Sequence, residues 1–301
     1  MGKISVIISV VKEDIKDLPR ALSSIKKFAS EIVIIDMTGS EEIVDVVKKY
    51  NAKRFKHKLV AYVEIVRNFG ISKTSGKWVL VVDPDEEIPH ELSEKLVSIS
   101  CGNSAFDYYR LPRKNIIFGK WIKHSRWWPD YNIRFFKKDS VSWNEEIHSV
   151  PSTEGEGCDL EPFERNAIVH YHYKTIEQYI HRMNRYTSAQ SRGLVKNGYK
   201  FDWKDLIKKP SAEFISRFFQ SEAYKDGIHG FALAFLQAFS EFVVYLKIWQ
   251  NSEFSEIDMN IEKFIKVTKE VESELNYWRA DALIKKKGGL GQRIKRKFKL
   301  P

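Results

Sequence analysis

Short apolar runs alternate with stretches of helical spacing over the first hundred residues. The runs are rich in Ile and Val, which is typical of strands buried on both faces of a parallel sheet. Strands that alternate with helices in this way predict right-handed βαβ units and a mostly parallel sheet. The strand candidates are residues 4–11, 32–36, 52–55 and 78–82, and the helix candidates are residues 18–28, 43–50 and 63–74.

The pattern changes after residue 107, where aromatic and basic side chains become frequent up to residue 150. The remaining predicted elements are short strands at 134–136, 140–143 and 167–173, and helices at 176–193, at 212–250 with a break near Asp226-Gly227, and at 257–278. Because strands give way to helices, we expect two regions and a tail. These are an α/β domain at 1–175, a mainly helical region at 176–284 and a basic tail at 285–301.

Acidic residues follow two of the predicted strands. Asp36 ends the second strand, and Asp83 and Asp85 come directly after the strand at 78–82. Parallel sheets bind ligands at the carboxyl ends of their strands. Two carboxylates one residue apart can share Mg²⁺ or Mn²⁺ with a diphosphate, because both ions prefer oxygen ligands. A solvated polar turn is the alternative interpretation, and the position of the pair after a buried strand favours the metal site.

The positive charge of the chain is concentrated in its tail. Of the formal net charge of +10, eight Lys and Arg residues at 285–301 account for 8, so the rest of the chain carries only +2. Leu290, Ile294 and Phe298 recur every four residues among these charges. The pattern predicts a basic amphipathic segment that binds an anionic membrane surface, with a solvated tail as the alternative.

The remaining bulk features narrow the class of protein. With 43% hydrophobic residues the chain is expected to fold, and its two cysteines have neither a disulfide framework nor zinc spacing. The start of the sequence lacks a signal-like segment, which predicts a cytoplasmic protein. The apolar stretch at 231–246 is shorter than the about 20 residues of a spanning helix, so we expect a core or interfacial helix.

Several short motifs, taken in order, resemble the family 2 inverting glycosyltransferases, which have the GT-A fold. The motifs are Ser5-Val6-Ile7-Ile8, Ile34-Ile35-Asp36 with Gly39-Ser40, Arg67-Asn68-Phe69-Gly70, and Ser75-Gly76-Lys77-Trp78 leading into Asp83-Pro84-Asp85-Glu86. A later segment is similar to the lipopolysaccharide-core β-glucosyltransferase subgroup: it comprises Pro129-Asp130, Arg134-Phe135-Phe136, Trp143 and Ile147-His148. The chain departs from that subgroup at Ser149, where Glu is usual.

The resemblance implies a metal-dependent, inverting hexosyltransferase in the synthesis of cell-envelope polysaccharide or lipopolysaccharide. Its donor would be a nucleoside-diphosphate sugar, with UDP-sugar favoured, and its acceptor a glycan or a lipid-linked glycan. The enzyme would lie on the inner face of the cell membrane. The roles implied for the donor site are Asp36 on the nucleoside, Arg67 near the base or diphosphate, Asp83 on the ribose or metal, Asp85 as main metal ligand, Arg134 on phosphate, and His148 near the diphosphate or metal.

An inverting transfer needs one general base to deprotonate the acceptor hydroxyl. The candidates are Asp130, Glu145 and Glu146. Asp130 is preferred because it lies in the aromatic segment, where an acceptor sugar can stack on tryptophan. A local ion pair between Asp130 and Arg134 is the alternative. His170 and His172 alternate along a strand and should face the same way, either as structural residues or as a metal pair.

Two other functions stay open at this point. A nucleotidyltransferase acting on sugar phosphates also uses paired acids, but it usually has a glycine-rich segment after the first strand. Residues 10–14 contain no glycine. A non-enzymatic nucleic-acid-binding protein would need basic residues over the whole body, and the charge of +2 outside the tail argues against nucleic acid as a partner.

Overall fold

The computed structural model describes residues 3–60, 63–143 and 151–301. The chain forms two compact units, each treated separately below. The first comprises residues 1–116 and 128–172, and the second comprises residues 117–127 and 173–301. Three of the predicted site residues, Glu145, Glu146 and His148, lie outside the described residues.

The elements up to residue 81 follow the predicted alternation of strands and helices, and the later elements up to residue 173 are mainly strands. They are β1 (Ile4–Val10), α1 (Leu18–Ile25), β2 (Glu31–Asp36), α2 (Glu42–Lys49), β3 (Lys53–Lys56), α3 (Glu64–Ser72), β4 (Trp78–Val81), β5 (Glu86–Glu87), α4 (His90–Cys101), β6 (Tyr108–Leu111), β7 (Arg113–Ile117), β8 (Lys120–Trp121), β9 (Asn132–Lys137), β10 (Val141–Ser142), β11 (Ser152–Thr153), β12 (Gly157–Asp159) and β13 (Ile168–Tyr173). Helix α4 and the strands β5, β6, β7, β8, β11 and β12 were not among the predicted elements.

The main sheet of the first unit has the strand order β12-β6-β9-β4-β1-β2-β3. Strands β1, β2, β3 and β4 are parallel, and β9 runs antiparallel to both of its neighbours. The prediction of a mostly parallel sheet is therefore confirmed. Its core is apolar on both faces, as the Ile- and Val-rich runs require, and the rings of Trp78 and Phe135 stack within it at 4.6 Å.

The second unit is mainly helical, as predicted. Its principal helices are α5 (Ile176–Lys196), α6 (Asp205–Ile215), α7 (Ile228–Asn251), α8 (Ile261–Lys287) and α9 (Leu290–Phe298). The expected break near Asp226-Gly227 is present, and Gly227 adopts a φ of +67°, a conformation that glycine tolerates without steric cost.

Helix α7 agrees with the helix predicted after the break near Asp226-Gly227. It has 24 residues and so extends beyond the apolar stretch at 231–246 on both sides. By length and composition α7 is able to cross a membrane, and it is the one helix among the described residues that passes this test. A single helix of this kind is weak grounds for a membrane span, since core helices of soluble proteins also pass.

Candidate active site

The three acids predicted at strand ends lie along one edge of the main sheet. Strand β1 lies between β2 and β4 and is parallel to both. In this register Val10 is opposite Asp36, and the amide of Val82, the residue before Asp83, donates to the carbonyl of Ile7. The carboxyl ends of β2 and β4 therefore place Asp36, Asp83 and Asp85 at the edge where such sheets bind nucleotides.

Asp36 is a buried carboxylate held by four donors. Its Oδ1 accepts from the amide and hydroxyl of Thr38, at 2.8 and 2.6 Å, and its Oδ2 accepts from Nε and Nη2 of Arg54, at 2.8 and 2.6 Å. Burial acts to raise the pKa of Asp36, but the Thr38 hydrogen bonds and the Arg54 guanidinium outweigh it and lower the pKa. Asp36 is therefore ionised and fixed in orientation.

Asp83 lies between two arginines that come from different elements. Its Oδ1 is 3.5 Å from Nη2 of Arg67 on α3, and its Oδ2 accepts from Nη2 of Arg134 on β9 at 2.5 Å. Burial acts to raise the pKa of Asp83, yet the charges of Arg134 and Arg67 hold it well below its usual range. The structure thus brings together Arg67, Asp83 and Arg134, three of the residues for which the resemblance implies a role at the donor diphosphate, ribose or metal.

Glu86, for which the sequence predicted no role, lies at the centre of this cluster. It is fully buried, accepts from Nη2 of Arg134 at 2.9 Å, and is 3.6 Å from Nη1 of Arg113. Burial raises the pKa of Glu86, and the neighbouring charge of Asp83 adds to the rise, while Arg134 opposes it. Glu86 also accepts from the backbone amide of Asp83 at 2.9 Å, so it fixes the turn that carries the acids.

The arginines of the cluster have more donors than the acids use. Nε and Nη1 of Arg134 and Nε of Arg67 are buried without a hydrogen-bond partner within the part of the chain that the structure describes. Unpaired buried donors are costly, and they are satisfied readily by an anion or an ordered water. This excess of donors is a feature expected beside a diphosphate.

Asp130 pairs with Arg113 instead of the sequence neighbour Arg134. Its Oδ2 accepts from Nε and Nη2 of Arg113, at 2.9 and 2.7 Å, and from Nδ2 of Asn115 at 2.9 Å. Its Oδ1 is 3.4 Å from Nδ2, the side-chain amide nitrogen, of Asn132. The local pair with Arg134, considered from the sequence, is therefore absent from the described contacts, because Arg134 is engaged by Asp83 and Glu86.

Asp85 lies beside His170, one of the two histidines of β13. Its Oδ1 is 3.6 Å from Nε2 of His170, and the rings of His170 and His172 are 4.5 Å apart, so the prediction that they face the same way is confirmed. Nδ1 of His170 is 2.7 Å from Oδ1 of Asn115, whose amide nitrogen bonds Asp130. Asn115 thus connects the surroundings of Asp85 with those of Asp130.

The acids fit a divalent cation that a substrate helps to bind. Within the described ranges, no group of three or more His, Cys, Asp and Glu side chains is arranged to hold a metal ion. Mg²⁺ usually takes one or two protein carboxylates and completes its shell with substrate phosphates and water. Asp85, with Asp83 nearby in sequence, is the candidate for that smaller set of ligands.

Comparison with known proteins assigns the first unit to a family. Residues 5–153 match the profile of Glycosyl transferase family 2. A protein of Rickettsia typhi is 27% identical over 284 residues, which cover 91% of this chain and 96% of that protein. A protein of Rickettsia prowazekii is 26% identical over 257 residues, covering 82% and 87%. Both carry the name uncharacterized glycosyltransferase.

Among solved structures, residues 1–349 of Staphylococcus aureus TarS in complex with UDP are 14% identical. The match covers 86% of this chain and 94% of that one with a TM-score of 0.42, which is too low to support an argument about substrates. The profile match and the observed sheet agree with each other. Residues 5–153 therefore form a glycosyltransferase family 2 domain with a GT-A-like fold.

Proposed function

We propose that this protein is a metal-dependent, inverting hexosyltransferase that moves a sugar from a nucleoside-diphosphate sugar to a glycan or lipid-linked acceptor of the cell envelope. One observation carries the proposal: Asp36, Asp83 and Asp85 follow β2 and β4, the two parallel strands that flank β1 in a family 2 domain, and Arg67 and Arg134 lie beside Asp83. This arrangement combines acceptors for a nucleoside with cations for a diphosphate.

The donor would bind along this edge of the sheet. Asp36 is ionised and its orientation is fixed by Arg54 and Thr38, so it would present a fixed negative charge to the nucleoside of the donor. Arg67 and Arg134 would face the diphosphate, since planar guanidinium groups suit phosphate oxygens. UDP-sugar is the donor that we favour, on the resemblance of the motifs.

Mg²⁺ or Mn²⁺ would be held by Asp85, with Asp83 as a second candidate ligand. Asp83 already has an arginine at each oxygen, so Asp85, the main metal ligand implied by the resemblance, is the preferred candidate. When bound, the cation offsets the negative charge that develops on the departing diphosphate.

Asp130 is the proposed general base, and Glu145 and Glu146 are the alternatives. The acceptor hydroxyl would give its proton to the carboxylate as its oxygen bonds the anomeric carbon, and the bond from that carbon to the diphosphate would break on the opposite face. Arg113 and Asn115 hold the Oδ2 atom of Asp130 and so fix its direction. His148 is retained as a candidate contact of the diphosphate or metal.

The tail supports a location at the inner face of the cell membrane. Helix α9 exposes Leu290, Ile294 and Phe298 along one face, with Arg and Lys between them. This is the amphipathic pattern predicted from the sequence, and it fits an anionic membrane surface and a lipid-linked acceptor of polysaccharide or lipopolysaccharide synthesis.

Replacing the proposed metal ligand tests the function directly. We expect Asp85→Ala to lose most donor cleavage and most Mn²⁺-dependent donor binding while its thermal unfolding stays close to that of the wild type. Asp45→Ala, an exposed acid on α2, is the matched control and should keep full activity. Full activity of Asp85→Ala, or of the wild type in EDTA, contradicts the proposal.

A further inference from the structure

Helix α7 has an apolar face that the second unit leaves uncovered. Phe231, Phe235 and Phe239 recur every four residues and are 42%, 55% and 47% exposed, and Ile228 at the start of the helix is 72% exposed. Residues at this spacing share one face of a helix. Only 33% of the most apolar window of α7 is buried, whereas an apolar core helix is mostly buried.

Two further rings, which precede α7 in the chain, extend this face. Phe214 on α6 packs against Phe235 with ring centroids 4.9 Å apart, and Phe218 packs against Phe231 at 5.8 Å. We refer to Phe214, Phe218, Phe231, Phe235 and Phe239 together as the phenylalanine patch. Contiguous exposed apolar surface of this kind marks an interaction site more often than isolated exposed side chains do.

The opposite side of α7 argues that the helix lies along a membrane and does not cross it. Gln237 donates to the hydroxyl of Tyr179 on α5 at 2.8 Å, and Nζ of Lys247 donates to the carbonyl of Asn184 at 2.7 Å. Helix α5 exposes charged residues, including Arg185 and Arg192. If α7 spanned a bilayer in this arrangement, those charges would enter the hydrocarbon, which is costly.

Basic residues border the patch. The ring of Tyr224 is 6.1 Å from that of Phe218. The hydroxyl of Tyr224 donates to Oε1 of Glu222 at 3.3 Å, and Nζ of Lys225 donates to Oε2 of the same carboxylate at 2.5 Å. Helix α8, which ends with Lys285, Lys286 and Lys287, packs against residues 216–220, the segment that contains Phe218. Lys285 begins the run of eight Lys and Arg residues without an acid.

We propose that the phenylalanine patch inserts into the interfacial layer of an anionic phospholipid bilayer, while the lysines that begin at Lys285 bind the lipid headgroups. The aromatic rings match the apolar acyl-chain boundary of such a bilayer, and the lysines match its anionic headgroups. This surface is distinct from the amphipathic face of α9, and it does not depend on the proposed glycosyl transfer.

Vesicle binding of the full chain tests the proposal. The variant Phe235→Ser with Phe239→Ser should reduce the partition coefficient on vesicles that contain phosphatidylglycerol by about tenfold or more, because two large apolar side chains no longer enter the interface. The matched control is Phe106→Ser with Phe163→Ser, which replaces two exposed phenylalanines of the first unit. It should bind vesicles like the wild type, and both variants should cleave donor equally well.

Deletion of residues 288–301 separates the patch from α9. The truncated chain should still bind the vesicles, and Phe235→Ser with Phe239→Ser should still weaken that binding. High salt should weaken the attraction between the lysines and the lipid headgroups. Equal vesicle binding of the patch variant and its control overturns the proposal. A wild type that is a dimer in solution and becomes monomeric in the patch variant also overturns it, since a second copy would then cover this face.

The depth to which the phenylalanine patch enters the bilayer is a second measurement, and it does not depend on the affinity of the protein for vesicles. In a Cys101→Ser, Cys158→Ser background, Phe235→Cys carrying an environment-sensitive fluorophore should be quenched by lipids with a nitroxide on the acyl chain. The same fluorophore at Phe163→Cys should not be quenched. Absence of quenching at the Phe235→Cys site on bound vesicles overturns the insertion.

Discussion

At the scale of single residues, Arg113 and Asn115 hold the Oδ2 atom of Asp130, and Oδ1 is 3.4 Å from Nδ2 of Asn132. If Asp130 is the general base, Asp130→Asn removes the proton acceptor and keeps the shape. We expect kcat to fall by about 10²–10⁴, the usual weight of general-base catalysis, with little change in donor KM. Steady-state kinetics in the presence of an acceptor measure both kcat and the donor KM. If Asp130→Asn is near wild type while Glu145→Gln or Glu146→Gln is inactive, the base is one of those glutamates.

Glu31, the first residue of β2, makes a prediction about stability instead of catalysis. Its Oε2 is 2.7 Å from Nζ of Lys53, and its Oε1 accepts from the hydroxyl of Ser75 at 2.9 Å. Burial acts to raise the pKa of Glu31, but hydrogen bonds from Lys53, Ser5 and Ser75 outweigh it and lower the pKa to about 2. The ionised carboxylate therefore stabilises the fold above about pH 4.5, the ordinary value, and this contribution is lost as the pH falls towards 2.

Glu31→Gln should accordingly lower the free energy of unfolding at pH 7 by up to about 3 kcal/mol. The difference from wild type should shrink as the pH falls from 4.5 towards 2. Urea unfolding at several pH values measures this, with Glu41→Gln, an exposed acid before α2, as the control. Equal unfolding free energies of wild type and Glu31→Gln at pH 7 would contradict the account.

The acids of the site could be predicted from the sequence, but their partners could not. Asp36, Asp83 and Asp85 follow apolar runs, so their place at the sheet edge comes from the hydrophobic pattern alone. Arg54 meets Asp36 only because β3 pairs with β2 in one particular register. Arg113 lies on β7, a strand that the pattern did not indicate, and so its ion pair with Asp130 was missed.

At the scale of elements, the contact of α3 with the sheet depends on Gly70. A Cβ atom there would lie 2.9 Å from Cγ2 of Ile7 and 3.4 Å from Cγ1 of Ile35. Gly70→Ala should therefore push α3 away from β1 and β2 and move Arg67, one turn earlier, relative to Asp83. We expect a loss of about 1–3 kcal/mol in stability and a raised donor KM.

Thermal unfolding and donor kinetics check this prediction together. The matched control is Gly193→Ala on α5, where a Cβ atom would meet nothing within 4 Å. That change should be neutral or slightly stabilising, because alanine is the better helix former. If Gly70→Ala has the Tm and donor KM of the wild type, the close approach of α3 does not position Arg67.

Strongly periodic elements were predicted to within a few residues, and weakly patterned ones were not. β1, β2 and β4 are continuous apolar runs, so their limits were nearly correct. Helix α4 buries only Leu92 and Leu96, which is too weak a stripe to stand out in the sequence. Helix α7 was predicted as the second helix of residues 212–250, and its observed limits, Ile228–Asn251, agree with that prediction.

At the scale of the whole molecule, the second unit includes a segment from the middle of the first. Ile117 and Ile122 are buried together with Tyr173, Tyr179 and Leu233 in one core of the second unit. Hydrophobic periodicity reports which face of a segment is buried, but it does not report against which partner. The assignment of residues 117–127 therefore needed the structure, whereas the nearly neutral body and basic tail were already evident from the charges.

The central claim is that the first unit cleaves a nucleoside-diphosphate sugar with the help of a divalent cation. The most direct test is to incubate the full chain with UDP-, GDP-, ADP- and dTDP-sugars in Mn²⁺ and to measure release of the nucleoside diphosphate. The account predicts release from at least one donor, with UDP-sugar favoured, and its loss in EDTA. Release of pyrophosphate from a nucleoside triphosphate and a sugar phosphate, with no nucleoside diphosphate released from any sugar donor, would contradict it and identify a nucleotidyltransferase.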